Sequence, residues 1–196
     1  MLNNLTRRFF LTTSLVAVAA PAWALSDSQA KALVDKVVAD INRVISSGKP
    51  LSGMIKDFEG IFVRYGDVNI IARSALGVDA RRASPAQMKA FIAAFTGYIG
   101  RKYGKRFNEF VGGKIVVEKA RKLKSYHEVI ATAYLKGEAP FEVKYLVSDK
   151  SGKDLFFDMV IEGISLRLSE RTEIGAMLDR RKGDIDGLIA DLKKAG

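Results

Sequence analysis

The feature that most constrains this chain is a change of apolar period at Gly112-Gly113. Before that pair, apolar residues recur every three or four positions; after it they recur every second position. Neither pattern buries its apolar side alone, so a block of amphipathic helices must cover one face of a sheet. From Ser26 the residues Ala30, Leu33, Val34, Val37, Val38, Ile41, Val44 and Ile45 form one helix face, ended by Gly48 and Pro50. Leu51, Ile55, Phe58, Phe62 and Tyr65 predict a second helix that stops at Gly66. Asp67 then caps a short third helix ending at Leu76 and Gly77. Ser84, Pro85 and Gln87 supply an N-cap, an N1 proline and a capping-box glutamine. They start a long helix whose stripe runs through Phe91, Phe95, Ile99, Tyr103 and Phe107 to Phe110 or Val111. Gly97, Gly100 and Gly104 interrupt its other side. Each costs about 1 kcal/mol against alanine in a helix interior, which calls for close packing or a bend.

Beyond Gly113 four alternating segments predict four strands: Ile115 and Val117; Val129, Ala131, Ala133 and Leu135; Phe141, Val143, Tyr145 and Val147; Leu155, Phe157, Met159 and Ile161. Turns at Lys136 to Pro140 and at Asp149 to Gly152 are short enough to make the sheet antiparallel. Two helices close the chain, Arg167 to about Arg181 and Asp184 to Lys194, around a Gly183 C-cap. The expected fold class is α+β, with N-terminal and C-terminal helices packed on a twisted four-stranded antiparallel sheet.

Thr6, Arg7, Arg8, Phe9, Phe10 and Leu11 read as a twin-arginine export signal, followed by an apolar run to Ala20 that is too short to span a bilayer. Ala22-Trp23-Ala24 is an A-x-A cleavage signature, predicting a signal peptide over 1–24 and a single domain over 25–196. A general secretory signal can also carry two arginines. The chain has no cysteine, hence no lipid anchor and no disulfide, and an exported domain of this kind stands on its core alone. The destination is the periplasm. The formal charge is +10, and +8 remains once Arg7 and Arg8 leave. Arg101, Lys102, Lys105, Arg106, Lys114, Lys119, Arg121, Lys122 and Lys124 against Glu109 and Glu118 place +7 of that in one segment. Tyr103, Phe107 and Tyr126 interleave with these cations as on a nucleic-acid face, but export argues against that partner. An anionic headgroup or an acidic docking surface fits better, beside a plain solvated face.

Catalytic chemistry finds little support. His127 is the only histidine and has no carboxylates at ligand spacing, so it reads as a strand-edge polar residue rather than a metal ligand. No G-x-S-x-G elbow accompanies it. Asp154, Asp158 and Glu162 sit four residues apart along one strand. That spacing separates neighbours by about 13 Å, too far for an acid/base pair, and makes them rim or solvent-face residues. Gly112-Gly113-Lys114 lies between helix and strand in the reverse order to a P-loop.

Taken together, these segments resemble the MlaC or toluene-tolerance family, periplasmic substrate-binding components of phospholipid-transporting ABC systems, over essentially the whole mature chain. The resemblance rests on Phe58 to Tyr65 leading into Asp67, on Ile71-Ala72-Arg73, on Leu76-Gly77, and on Ser84-Pro85-x-Gln87 with Phe91, Phe95 and Tyr103. It is sharpest in Phe157 to Leu166, Arg171, Glu173 and Asp186-Gly187-Leu188-Ile189. Two positions depart from the family pattern. Val78 to Arg82 replace a frequent Trp-Arg pair, and Glu170 stands where an aromatic often precedes the arginine.

The resemblance implies a noncatalytic carrier without metal or cofactor, monomeric, whose apolar pocket holds the acyl chains of a phospholipid while the headgroup stays outside. Its partners would be an inner-membrane ABC transporter complex and an outer-membrane lipoprotein complex. A hopanoid-associated branch makes a polycyclic lipid the alternative cargo, and a small periplasmic enzyme acting on a hydrophobic substrate is the competing class. The stripes nominate Phe91, Phe95, Ile99, Tyr103, Ala131, Ala133, Val143, Tyr145, Phe157, Met159 and Ile161 as pocket residues. Lys105, Arg106 and Lys122 are the expected headgroup or partner contacts at the pocket mouth.

Overall fold

The computed structural model describes residues 25–106 and 109–196. The expected signal peptide and Phe107 lie outside them. Helices α1 (Asp27–Ile45), α2 (Leu51–Tyr65), α3 (Val68–Leu76) and α4 (Pro85–Arg106) come first, with a 3-10 turn over Gly77–Arg81. Strands β1 (Lys114–Leu123), β2 (Tyr126–Tyr134), β3 (Phe141–Ser148), β4 (Leu155–Ile161) and β5 (Ile164–Ser165) follow, then α5 (Leu166–Arg180) and α6 (Ile185–Leu192). The sheet is an antiparallel meander in the order β1-β2-β3-β4-β5. The fifth strand is an addition to the four expected. Glu162 and Gly163 both take positive φ (50° and 83°), which turns the chain tightly enough for Ile164 to pair with Ile161.

The helix starts follow local chemistry. Ser26 and Gln29 form a reciprocal capping box at α1, with backbone-to-side-chain distances of 3.2 and 2.9 Å, worth about 1 kcal/mol. Asp67 caps α3 through the Ile70 N–H. The glycines of α4 serve close packing. A Cβ on Gly104 would stand 2.9 Å from Ile55 Cα, and one on Gly100 would stand 3.0 Å from Glu59 Cβ, so α2 lies directly on α4 at those two positions. The long helix stops sooner than its stripe suggests, and Phe110 and Val111 belong to the turn before β1.

One buried cluster joins the apolar faces of all six α-helices to the inner face of the sheet, with Phe91, Phe95, Tyr98, Tyr145, Ile174 and Leu188 among its least exposed members. The open edge of β1 is covered at one point. Asn42 of α1 donates to the Ile115 carbonyl and accepts from the Ile115 N–H, both at 2.9 Å, as a neighbouring strand would.

Two irregularities change which residues face inward. The β3–β4 register runs Leu146 with Asp158 and then Val147 with Phe156, so Phe157 is an extra, bulged residue. The buried aromatic of β4 is therefore Phe156, set edge-on to Tyr145 at 5.9 Å. Phe157 packs instead against Tyr126 and under the Arg167 guanidinium. The second bulge falls between Val117 and Lys119.

Two polar residues expected at the surface are buried. His127 is 4% exposed with Nδ1 2.6 Å from Asp27 Oδ1, because the start of α1 closes over the beginning of β2. Asp158 is 3% exposed. It accepts from the Ser165 hydroxyl at 2.6 Å and the Arg167 N–H at 3.0 Å, so its charge meets the N-terminus of α5. Asp154 precedes β4 and Glu162 follows it, so the three carboxylates do not share a strand face.

Candidate functional site

A cavity of about 220 Å³ opens between the C-terminal end of α4 and the sheet. Its walls are Ile41 of α1, Phe58 of α2, Tyr103 of α4, Phe110, Ile115, and the inward residues Val143, Tyr145, Met159 and Ile161 of β3 and β4. Leu135 and Phe141, at the two ends of the β2–β3 turn, complete it. Phe110 and Phe141 meet edge to face at 6.2 Å. The alternation of β3 and β4 produces this wall directly, since Val143 pairs with Ile161 and Tyr145 with Met159 on one face.

The mouth is charged. Arg106, Glu109, Glu138 and Glu162 surround it, all exposed, giving one cation against three carboxylates. None of the four is paired in a salt bridge among the described residues.

Behind the α4 wall lies a buried polar network. Glu170 of α5 is fully buried, and its Oε1 accepts from the Tyr103 hydroxyl at 2.6 Å and from Lys102 Nζ at 2.7 Å. Lys102 also bonds Glu173 at 2.5 Å and the Tyr98 hydroxyl at 3.0 Å. Burial, and then the bond to Glu170, pushes the Tyr103 hydroxyl far above its ordinary pKa, so it is a fixed donor. Burial opposes the Lys102 charge, but the two carboxylates outweigh it and hold the ammonium above its usual range. Glu170 Oε2 has no hydrogen-bond partner among the described residues. Tyr103 is thereby anchored from behind while its ring lines the cavity.

Of the expected pocket residues, the structure brings Tyr103, Val143, Tyr145, Met159 and Ile161 together. Phe91, Phe95, Ile99, Ala131 and Ala133 are buried in the filled core; Phe91 and Phe95 stack at 5.8 Å. Phe157 is turned away by its bulge. Sequence reasoning did not pick out the contributions of Ile41, Phe58, Ile115, Leu135, Phe110 and Phe141 or the acidic rim. The available signal was that the α4 stripe and the β2–β3 and β4–β5 turns end at the same level of the fold.

The basic segment does not form one face. Arg106 stands at the mouth, whereas Lys105 donates to the Gly196 carbonyl at 2.6 Å. Lys122 lies at the far end of the sheet, in a small cleft with Leu25, Lys124, His127 and Asp149. Arg101 bonds the Leu192 and Ala195 carbonyls, and Arg121 pairs with Glu128. A separate cleft of about 440 Å³ between α1 and α2 carries Arg43, Lys49, Lys56 and Arg64 around Asp40 and Asp57. Its charged walls suit water rather than hydrocarbon.

Among the described residues no group of three or more His, Cys, Asp and Glu side chains is placed to hold a metal ion. No helix there is long and apolar enough to cross a membrane.

The fold is similar to that of a phospholipid-binding protein from Ralstonia solanacearum, solved in complex with a phospholipid. The TM-score is 0.72 at 20% sequence identity, over 86% of this chain and 96% of that one. A family model described as MlaC protein matches residues 31–194, from the second turn of α1 to just past the end of α6. The chain belongs to the MlaC family.

Proposed function

We propose that this protein carries a phospholipid across the periplasm, holding acyl chains in the cavity between α4 and the sheet with the headgroup at the charged rim. The observation that carries this reading is the division of the cavity into an apolar interior and a charged, exposed mouth. The phospholipid bound by the Ralstonia solanacearum protein of the same fold supports it. The physical need is large: two chains of about 30 methylenes in all, at about 0.8 kcal/mol each, cost on the order of 24 kcal/mol to expose to water. A carrier must replace most of that burial, so direction comes from the membrane complexes at either end.

A volume of 220 Å³ is below the roughly 300–1,000 Å³ of ordinary ligand pockets. Loading therefore widens the seam between the end of α4, the turn before β1 and the β2–β3 turn. At the mouth, Arg106 meets the phosphate while Glu109, Glu138 and Glu162 favour a headgroup that also carries an ammonium. The exposed Lys105 and Lys122 remain for contacts with the inner-membrane ABC transporter complex and the outer-membrane lipoprotein complex. Noncatalytic action is supported by the position of His127, at the opposite end of the sheet and engaged by Asp27.

Lipid extraction of the exported, purified protein tests the reading. Co-purifying phospholipid in about equimolar amount is the expected result. A protein that is empty and cannot be loaded from vesicles would overturn it, and a polycyclic lipid in the extract would favour the hopanoid branch.

A further inference from the structure

Among the described residues, Tyr145 is the one polar side chain in the depth of the cavity that is not already engaged. It is 1% exposed, lies in the β3 wall, and meets Phe156 edge-on. Its hydroxyl has no hydrogen-bond partner among the described residues, and burial is the sole influence on its titration. Tyr103, the other tyrosine of the cavity, already donates its hydrogen bond to Glu170. The oxygen is not sealed off as an orphaned buried atom: it faces the cavity, where it meets no protein acceptor. A hydroxyl kept under those conditions is suited to an acceptor that arrives with the ligand.

The level of Tyr145 in the cavity narrows the acceptor. Glu162 of the rim donates its backbone N–H to the Glu142 carbonyl, next to Val143. Tyr145 stands one pleat further in than Val143 on the same face, about 7 Å along the strand. In a phospholipid whose charged headgroup is at the rim, the strong acceptors that enter the apolar interior are the ester carbonyls at the head of the acyl chains. We infer that the Tyr145 hydroxyl donates a hydrogen bond to an acyl ester carbonyl of the bound lipid, making it a determinant of specificity for ester-linked lipids. This rests on the phospholipid-carrier reading above.

The test compares the exported wild type with Tyr145→Phe, using dioleoyl phosphatidylethanolamine and its diether analogue, which lacks both carbonyls. Wild type should bind the ester lipid about tenfold tighter than the ether, as loss of one buried hydrogen bond requires. The variant should bind both with the affinity wild type shows for the ether, and its lipid-free form should unfold at close to the wild-type temperature. Persistence of the ester preference in Tyr145→Phe would overturn the assignment, as would an equal loss for both lipids. Failure of wild type to bind either lipid would instead remove the carrier reading, and this assignment with it.

Discussion

Replacing Glu170 by alanine probes how the cavity wall is held. The carboxylate is fully buried and accepts two bonds on Oε1, from Tyr103 and Lys102. Severing a fully buried ion pair ordinarily costs 3–5 kcal/mol. Here the cost is smaller, because Lys102 is 28% exposed and keeps Glu173 as a partner at 2.5 Å, which reduces its share to about 1 kcal/mol. Leaving the Tyr103 hydroxyl without an acceptor adds about 1–1.5 kcal/mol, and loss of the one packed methylene adds about 0.8 kcal/mol. Relief of a desolvated carboxylate whose Oε2 makes no bond returns about 1 kcal/mol. The net is about 2 kcal/mol, a fall in Tm of roughly 4–8 °C for a domain of this size. Urea unfolding followed by far-UV circular dichroism measures it, with Glu170→Gln expected to lose only about 1 kcal/mol because the amide oxygen still accepts from Tyr103. The alanine variant should also release lipid faster, since Tyr103 is no longer anchored. A change within about 0.5 kcal/mol, or a gain in stability, would refute the reasoning.

At the cavity mouth, the double variant Glu138→Lys and Glu162→Lys should shift preference from phosphatidylethanolamine toward phosphatidylglycerol several-fold in vesicle loading, with unchanged Tm. Equal loading of both lipids before and after would contradict the rim's role. Burial raises the Glu173 pKa, but bonds from Lys102 and Tyr98 outweigh it and hold it below the usual carboxylate range. A depressed folded pKa gives stability that is complete above about pH 4.5 and is lost as pH falls through the folded value. The stability gap between wild type and Glu173→Gln should therefore close on acidification between pH 5 and 3, which thermal melts can follow. Cleavage after Ala24 would turn the Leu25 nitrogen, 3.2 Å from Asp149 Oδ2, into an ammonium ion-paired with that carboxylate. Intact-mass measurement of the exported protein should find Leu25 first, and Asp149→Asn should lower its stability by about 1 kcal/mol; a different first residue would rule out that pair.

Much of the architecture was legible in local patterns. The period change at Gly112-Gly113 located the helix-to-sheet transition, and Ser26, Asp67 and Ser84 marked helix starts that the structure keeps. What escaped depended on registers and on distant partners. Nothing in Leu155-Phe156-Phe157 distinguishes a regular strand from one with a bulge, yet that bulge decides which phenylalanine is inside. His127 looked like an edge residue because Asp27, its partner, is 100 residues away. The pocket was partly readable for the same reason: β3 and β4 contribute by simple alternation, so Val143, Tyr145, Met159 and Ile161 could be named. The helical contributions depend on where α1, α2 and α4 cease to touch the sheet, and the stripes of Phe91 and Phe95 look no different from that of Tyr103. Charge counting went furthest astray as geometry, since a cluster along the chain became several separate places once β1 carried Lys122 to the other end of the sheet.

The central claim is that this cavity holds the lipid chains, and native mass spectrometry of the exported protein beside Ile161→Trp tests it most directly. Ile161 is half-buried on the cavity wall, so the added ring enters the cavity at a folding cost of about 1–3 kcal/mol. The account predicts wild type carrying one phospholipid and a folded, empty Ile161→Trp. An Ile161→Trp protein that folds and carries as much lipid as wild type would contradict it.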